Sequence, residues 1–197
     1  MKKFALLIPA FLLLAAFTPK YEVGDAVSDF SLKNVDGKKI SLSGYADKGA
    51  IIIFDCNTCP FSKAYNDRII ALHTKYKDKG YPVIAINAND PKISPGDSFE
   101  HMVSQAKNKS YTFPYLIDET QEVAKSFGAT NTPHVFVVNK KGDGFVVAYI
   151  GAIDNNSRDA QSADKKYVED AVDALIANQT VSPSKTKAIG CGIKYRS

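Results

Sequence analysis

Two cysteines separated by two residues, Cys56 and Cys59, are the side chains of this sequence best suited to chemistry. A pair at this spacing can form and break a disulfide within one turn of chain. A sulfur at the start of a helix is stabilised as a thiolate by unpaired N–H groups and the helix dipole. We therefore predict that Cys56 is the nucleophile. Cys59, expected one turn inside the helix and less exposed, is predicted to be the resolving thiol that releases a substrate from a mixed disulfide.

The same spacing is also found in zinc sites and in structural disulfides. Zinc requires four nitrogen or sulfur ligands, and the sequence has neither a second Cys-x-x-Cys nor a His-x-x-x-His. The elements around the motif favour redox use over both alternatives. The sequence therefore predicts no metal site and no cofactor.

A strand and a helix are predicted on either side of the cysteines. Residues 50–54 form an unbroken apolar run rich in β-branched residues, which is typical of a strand buried on both faces. Pro60 is tolerated in the first turn of a helix, because its missing N–H would have no helical partner. The motif thus lies at a strand-to-helix junction. Apolar residues then follow at helical spacing: Phe61, Tyr65, Ile69, Leu72 and Tyr76.

The rest of the chain alternates strand and helix patterns. These patterns predict an α/β fold, a mixed central sheet with helices on both faces. Residues 87–112 are rich in loop signals and are interpreted as an insertion within the domain. The predicted elements are a hairpin over 27–45 that turns at Asp36-Gly37, strands at 83–87 and 115–117, helices at 98–107, 122–127 and 166–177, and an antiparallel hairpin of strands 134–138 and 145–150.

Several motifs together resemble the redoxin side of the thioredoxin-like superfamily, near alkyl-hydroperoxide-reductase/thiol-specific-antioxidant proteins and periplasmic thiol–disulfide proteins. The resemblance spans about residues 24–194 and implies a thioredoxin-like fold with an N-terminal β-hairpin. It also implies a cis peptide bond at Thr132-Pro133, facing the cysteines, with the backbone just before the proline pairing with substrate. Residues 24–30 and 36–42 are similar to the N-terminal hairpin of these proteins. A narrower likeness to a sparsely characterised thioredoxin-family group rests on Cys56-Asn57-Thr58-Cys59-Pro60-Phe61, Lys63-Ala64-Tyr65, residues 87–91, 113–115 and 118–121, and Gly190-Cys191-Gly192-Ile193-Lys194.

Four positions depart from the thioredoxin pattern. Asp55 replaces the aromatic residue before the first cysteine, and Asn57-Thr58 replaces Gly-Pro between the cysteines. The buried carboxylate of thioredoxins falls near Ala50, which cannot carry a proton. The redox potential is therefore left open within the range from about −270 to −120 mV.

Cys191 and His134 are accessory candidates. Cys191 lies in a polar tail, but Ile189 and Ile193 give that tail apolar side chains to dock, so we expect it to be ordered. The sequence favours a buried, unreactive Cys191 over a third redox thiol that pairs with Cys56, Cys59 or a second chain. His134 follows Pro133 and is the one histidine expected near the site.

The N-terminus predicts export. Residues 1–18 have a charged start and an apolar run, as in a signal peptide, and residues 19–197 are assigned to one thioredoxin-like domain. The run is shorter than the about 20 residues of a membrane span, so a periplasmic or secreted protein without a span after cleavage is predicted. The formal charge of +4 comes with scattered lysines, which gives no reason to expect nucleic acid.

The predicted function is disulfide exchange with protein thiols and disulfides by a monomer, with a membrane-bound electron donor as a further candidate partner. Two alternatives stay open. A thiol peroxidase is disfavoured, because peroxiredoxins carry a proline ahead of the reactive cysteine and Phe54-Asp55 offers none. A copper-binding chaperone would use both thiolates and a remote histidine such as His134, although such proteins space their cysteines more widely.

Overall fold

The computed structural model describes residues 20–196, so the predicted signal peptide lies outside the described residues. The strands are β1 Ala26–Val27, β2 Ser31–Asn34, β3 Lys39–Ser41, β4 Gly49–Phe54, β5 Val83–Asn87, β6 Tyr115–Ile117, β7 Asn131–Thr132, β8 His134–Lys141, β9 Gly144–Gly151 and β10 Cys191–Gly192. The α-helices are α1 Leu42–Tyr45, α2 Pro60–Tyr76, α3 Phe99–Asn108, α4 Glu122–Phe127 and α5 Tyr167–Ile176.

Eight strands form one mixed sheet in the order β1-β9-β8-β4-β5-β6-β2-β3, and β7 and β10 form a separate two-stranded ladder. Strand β4 lies at the centre, parallel to β5 and antiparallel to β8. All six of its residues are buried, because both faces of the sheet are covered. The continuous apolar run at 50–54 is the signature of this position.

Helices cover both faces of the sheet, as predicted. Ile51 and Ile53 of β4 pack in one cluster with buried residues of α2, α3 and α5. Ile52 and Phe54 point the other way and pack with residues of α1 and α4. The alternation follows from the period of two along a strand.

Both predicted hairpins are confirmed. Strands β2 and β3 pair antiparallel across a turn in which Gly37 has a φ of 85° and the Lys38 N–H donates to Asp36 Oδ1 at 2.9 Å. Strands β8 and β9 pair antiparallel from Val135 opposite Gly151 to Lys141 opposite Gly144, with one irregularity between Val137 and Val138.

The junction between β4 and α2 differs from the prediction in one respect. Cys59 is the N-cap of α2 and Pro60 is its first residue, so Cys59 lies at the start of the helix and not one turn inside it. The reason is that a proline in the first turn has no N–H to give to a preceding carbonyl, so it marks where a helix begins.

The tail beyond α5 is ordered, as expected, and it contributes a strand that the sequence pattern did not indicate. Cys191 pairs with Thr132 and Gly192 with Asn131, in an antiparallel ladder of β10 with β7. Each strand has only two residues, which is too short to leave a periodic pattern.

Candidate active site

Thr132 contacts both cysteine sulfurs. The Cys59 thiol donates to the Thr132 carbonyl oxygen at 3.0 Å, and Cys56 Sγ lies 3.2 Å from Thr132 Oγ1. The Thr132-Pro133 peptide bond is cis, which confirms the expectation from the family resemblance. Both cysteines are free thiols, so the fold brings together the four residues that the sequence singled out for catalysis and substrate binding.

The two thiols share their first ionisation. The interaction between the two thiols by itself lowers the pKa of Cys59 and raises that of Cys56, so the pair loses one proton readily and holds the second. The N–H groups of Ser62 and Cys191 favour charge on Cys59. The Thr132 carbonyl oxygen at 3.0 Å opposes it more directly, because that oxygen can only accept a hydrogen bond. The proton therefore belongs on Cys59, and Cys56 carries the charge beside the Thr132 hydroxyl.

The predicted difference in exposure between the cysteines is wrong. Cys56 is 1% exposed and Cys59 is 2% exposed. Access to either sulfur therefore requires a movement of the residues around them.

The dipeptide between the cysteines is held by the loop that precedes α3. Asp97 in this loop is fully buried, and its carboxylate accepts from the Asn57 N–H at 2.7 Å and from the Thr58 hydroxyl at 2.8 Å. The same carboxylate accepts from Ser94 Oγ at 2.6 Å and from Asn89 Nδ2 at 2.8 Å. The loop-rich segment that the sequence presented as an insertion thus fixes the conformation of Asn57 and Thr58.

Asp97 stays charged in this buried position. Burial alone would raise its pKa, but the hydrogen bonds from Ser94, Asn89 and Thr58 outweigh burial and hold the pKa below the usual value. A buried carboxylate with this many donors is a stable fixed charge. Its charge, in turn, raises the pKa of Cys56.

Asp55, the residue before Cys56, is the second buried carboxyl group at the site. Burial raises its pKa to about 6, and a hydrogen bond from Ser62 offsets only part of this effect. The residue is 3% exposed, and within residues 20–196 its Oδ1 atom has no hydrogen-bond partner. Asp55 can therefore take up or release a proton close to neutral pH.

The Asp55→Asn substitution is expected to stabilise the protein at neutral pH. A carboxyl group whose pKa is raised from 3.8 to about 6 favours folding while it is protonated, and it loses that contribution as the pH rises from about 4 through 6. The variant should exceed the wild type by on the order of 2 kcal/mol in free energy of unfolding at pH 7, with no difference below about pH 4. Urea unfolding across this range measures the effect, with the exposed Asp47→Asn as control. An unchanged pH dependence in Asp55→Asn would contradict the assignment.

Cys191 lies beside the cysteine pair. Burial, and after it the neighbouring Cys59, raises the pKa of Cys191 to about 11. The side chain is half-buried. The sequence favoured a buried, unreactive thiol, whereas Cys191 is half-buried and lies beside the cysteine pair.

His134 is not brought to the sulfurs. Its Nδ1 accepts from the Thr130 N–H at 3.3 Å, and its ring packs on Phe136 at 4.6 Å between centroids. Burial lowers its pKa to about 4, so the ring is neutral. Phe136 belongs to the cluster on the sheet face opposite α2, so the accessory role predicted for His134 has no geometric support.

Sequence reasoning missed Asp97 and passed over Asp55 as a functional group. Asp97 carries one usable signal: strands β4 and β5 are parallel, so the residues that follow each strand meet at one edge of the sheet. Cys56 follows β4, and Asn87 with Asn89 leads from β5 into the Asp97 loop. For Asp55, the signal was its place directly after a fully buried strand.

Residues 23–148 match the family model of the AhpC/TSA family. The chain belongs to this family. Curated relatives include the thiol-disulfide oxidoreductase ResA of Bacillus thuringiensis subsp. konkukian and that of Bacillus cereus, each 31% identical over 126 residues, which are 62% of this chain and 67% of theirs.

Solved structures of similar proteins share the fold of this member of the AhpC/TSA family. An uncharacterized conserved protein from Geobacillus kaustophilus superposes with a TM-score of 0.82 at 34% identity, over 89% of this chain and 93% of its own. A putative thiol:disulfide interchange protein DsbE from Chlorobium tepidum gives 0.59 at 20% identity, over 80% and 99%. The second likeness concerns the fold alone, and the fold is thioredoxin-like.

Within residues 20–196 no helix is long and apolar enough to cross a bilayer. In the same part of the chain, no three histidine, cysteine or acidic side chains are placed to hold a metal ion.

Proposed function

We propose that this chain is a thiol-disulfide oxidoreductase that exchanges disulfides with protein substrates through Cys56 and Cys59. The observation that carries the proposal is the pair of free thiols at the start of α2, with Thr132 contacting both sulfurs. Membership of the AhpC/TSA family and the ResA relatives support the same chemistry.

The geometry supports a two-step exchange. In the first step the Cys56 thiolate attacks a substrate disulfide, a Cys56–substrate disulfide forms, and the second substrate sulfur leaves with the electron pair. In the second step Cys59 loses its proton and attacks Cys56 Sγ, which forms the Cys56–Cys59 disulfide and releases the reduced substrate. Asp55, whose charge interacts with Cys59, is the buried group available to accept this proton. It would fill the role that Ala50 cannot.

Thr132 and Pro133 are proposed to receive the substrate chain. Thr132 is 2% exposed. The backbone edge of β7 on which a substrate strand would pair is occupied by β10 of the same chain. A substrate strand that used this edge would have to displace β10.

The proposal includes the cellular location of the protein and its source of electrons. The signal-peptide features of residues 1–18 support a site of action outside the cytoplasm. An exported oxidoreductase needs a source of electrons there, and a membrane-bound donor would supply them. The protein is proposed to act as a monomer.

The thiol peroxidase alternative has less support. Arg68, two turns into α2, is paired with Asp154 at 2.6 Å and donates to the backbone oxygens of Asn156 and Ser157. The arginine of α2 is therefore engaged by these groups and does not contact the cysteine sulfurs. Phe54-Asp55 before Cys56 also lacks the proline of peroxidase sites.

Reduction of insulin disulfides tests the proposed function. The protein with dithiothreitol as electron source should precipitate the insulin B chain faster than dithiothreitol alone. A rate equal to that of dithiothreitol alone, with the three thiols shown to be reduced and the protein folded, would contradict the proposal.

The Thr132→Val substitution is expected to make Cys56 a weaker nucleophile. The Thr132 hydroxyl stabilises the Cys56 thiolate and lowers its pKa relative to a site without it. Valine keeps the shape and removes the donor, so alkylation of Cys56 at pH 7 should slow by about 3- to 10-fold. Mass spectrometry of iodoacetamide-labelled peptides gives the rate, with the exposed Thr130→Val as matched control. Equal rates in Thr132→Val and Thr130→Val would remove Thr132 from this role.

A further inference from the structure

Strand β10 directs the Cys191 side chain at the cysteine pair. Cys191 is directly opposite Thr132 in the antiparallel ladder, and directly opposed side chains lie on the same face, with Cβ atoms about 4.5–5.5 Å apart. The Thr132 side chain points at Cys56, 3.2 Å from its sulfur. The Cys191 thiol therefore faces the same sulfurs, and Cys191 and Cys59 shift each other's pKa.

The tail is built to hold this position. A Cβ atom on Gly190 would lie 2.1 Å from the Thr132 carbonyl oxygen, so only glycine allows the tail to cross Thr132 so closely. Beyond Cys191, the buried Ile193 donates its N–H to the Thr130 carbonyl at 3.0 Å. Arg196 then pairs with Asp90 at 3.0 Å. Contacts on both sides of Cys191 thus fix the thiol at the site.

We propose that Cys191 is a third redox thiol, which exchanges with the Cys56–Cys59 disulfide from the position of an internal substrate strand. The proposal rests on the redox function of Cys56 and Cys59 given above and adds a residue to it. The deprotonated Cys191 sulfur attacks Cys59 Sγ, the Cys59–Cys191 bond forms and the Cys56–Cys59 bond breaks. Cys56 leaves with the electron pair, and the proton lost by Cys191 is available to it. The number of disulfides is unchanged, so no external oxidant or reductant is needed.

This exchange gives the oxidised protein two disulfide isomers. In one, Cys56 is bonded to Cys59 and Cys191 is free. In the other, Cys59 is bonded to Cys191 and Cys56 is a free thiol beside the Thr132 hydroxyl. In the second isomer the disulfide involves the C-terminal tail, and Cys56 remains available as a nucleophile.

The Cys56→Ser variant isolates the new disulfide, because only Cys59 and Cys191 remain. After equilibration with oxidised glutathione and alkylation of free thiols, peptide mass spectrometry should show an intrachain Cys59–Cys191 disulfide in the monomer and no alkylated cysteine. The oxidised wild type should contain both disulfide isomers, with one free thiol per chain. If Cys59 and Cys191 in Cys56→Ser are both alkylated, or are linked only to glutathione or to a second chain, the proposal is overturned.

Two glycines provide a matched test of the tail's position. Gly190→Ala introduces the 2.1 Å clash with Thr132, whereas a Cβ on Gly192 would meet only the Thr130 carbonyl oxygen, at 4.0 Å. In the Cys56→Ser background, Gly190→Ala should lower the ratio of Cys59–Cys191 disulfide to free dithiol by about tenfold relative to Gly192→Ala. Equal ratios in the two variants would show that the pairing of β10 with β7 does not position Cys191 for reaction with Cys59.

The insulin assay separates this proposal from the proposed function. If the wild type reduces insulin normally but Cys56→Ser forms no Cys59–Cys191 disulfide, the redox role of Cys191 is rejected and the proposed function stands. If the Cys59–Cys191 disulfide forms but the wild type does not reduce insulin, the oxidoreductase function is rejected. The placement of Cys191 within disulfide reach of Cys59 is then still supported.

Discussion

The Cys56→Ser variant should lose insulin reduction by on the order of 1,000-fold or more, because it removes the atom that forms the mixed disulfide. The Thr132 hydroxyl at 3.2 Å supports charge on Cys56, whereas the Thr132 carbonyl at 3.0 Å holds a proton on Cys59. The measurement is the initial rate of insulin reduction at equal protein concentration.

The Cys59→Ser variant should instead accumulate mixed disulfides. It retains Cys56 but lacks the thiol that releases the substrate, so Cys56–insulin adducts should appear on a non-reducing gel. The wild type carried through the same reaction is the control, and it should release its adducts because it keeps both cysteines of the pair. If Cys56→Ser traps adducts and Cys59→Ser does not, the roles of the two cysteines must be exchanged.

The Asp97→Asn substitution should reduce the free energy of unfolding by about 2–4 kcal/mol at pH 7. The buried carboxylate accepts from two backbone or side-chain groups of the cysteine loop and from two groups of its own segment. An amide can accept at only one of its two ends, so buried donors lose their partners. Thermal and urea unfolding measure the loss.

The pH dependence of this loss has a definite sign. The pKa of Asp97 is below its usual value in the folded state, so its contribution is present above the unfolded pKa of about 4 and declines as the pH falls through the folded value. The difference between wild type and Asp97→Asn should therefore shrink below about pH 4. The exposed Asp143→Asn is the matched control. A variant as stable as that control would mean that the Asp97 loop does not hold the cysteine motif.

The sequence predicted the fold well where patterns were long. The apolar run at 50–54 predicts a strand buried on both faces, and the apolar residues at helical spacing after Pro60 predict a helix buried on one face. The two kinds of burial give different sequence patterns, so both elements could be recognised. A two-residue strand such as β7 or β10 leaves no period at all. The ladder that places Cys191 could therefore be seen only in three dimensions.

The site was predictable only where its residues are recognisable from local sequence. Cys56, Cys59 and Thr132-Pro133 are identified by residue type and spacing. Asp97 acts through a loop that is distant in sequence, and the pKa of Asp55 is set by burial that only the packed sheet reveals. The exposure of Cys56 was overestimated because the sequence does not show which segments cover the site.

A redox titration of the Cys191→Ser protein is the most direct test of the central claim, that Cys56 and Cys59 form a reversible redox pair. Equilibration in dithiothreitol or glutathione buffers, followed by alkylation and mass spectrometry, gives the fraction of Cys56–Cys59 disulfide at each potential. The account predicts one reversible two-electron transition with a midpoint between about −270 and −120 mV. A midpoint below about −300 mV, typical of a structural disulfide, or no intrachain disulfide under any of these conditions, would contradict it.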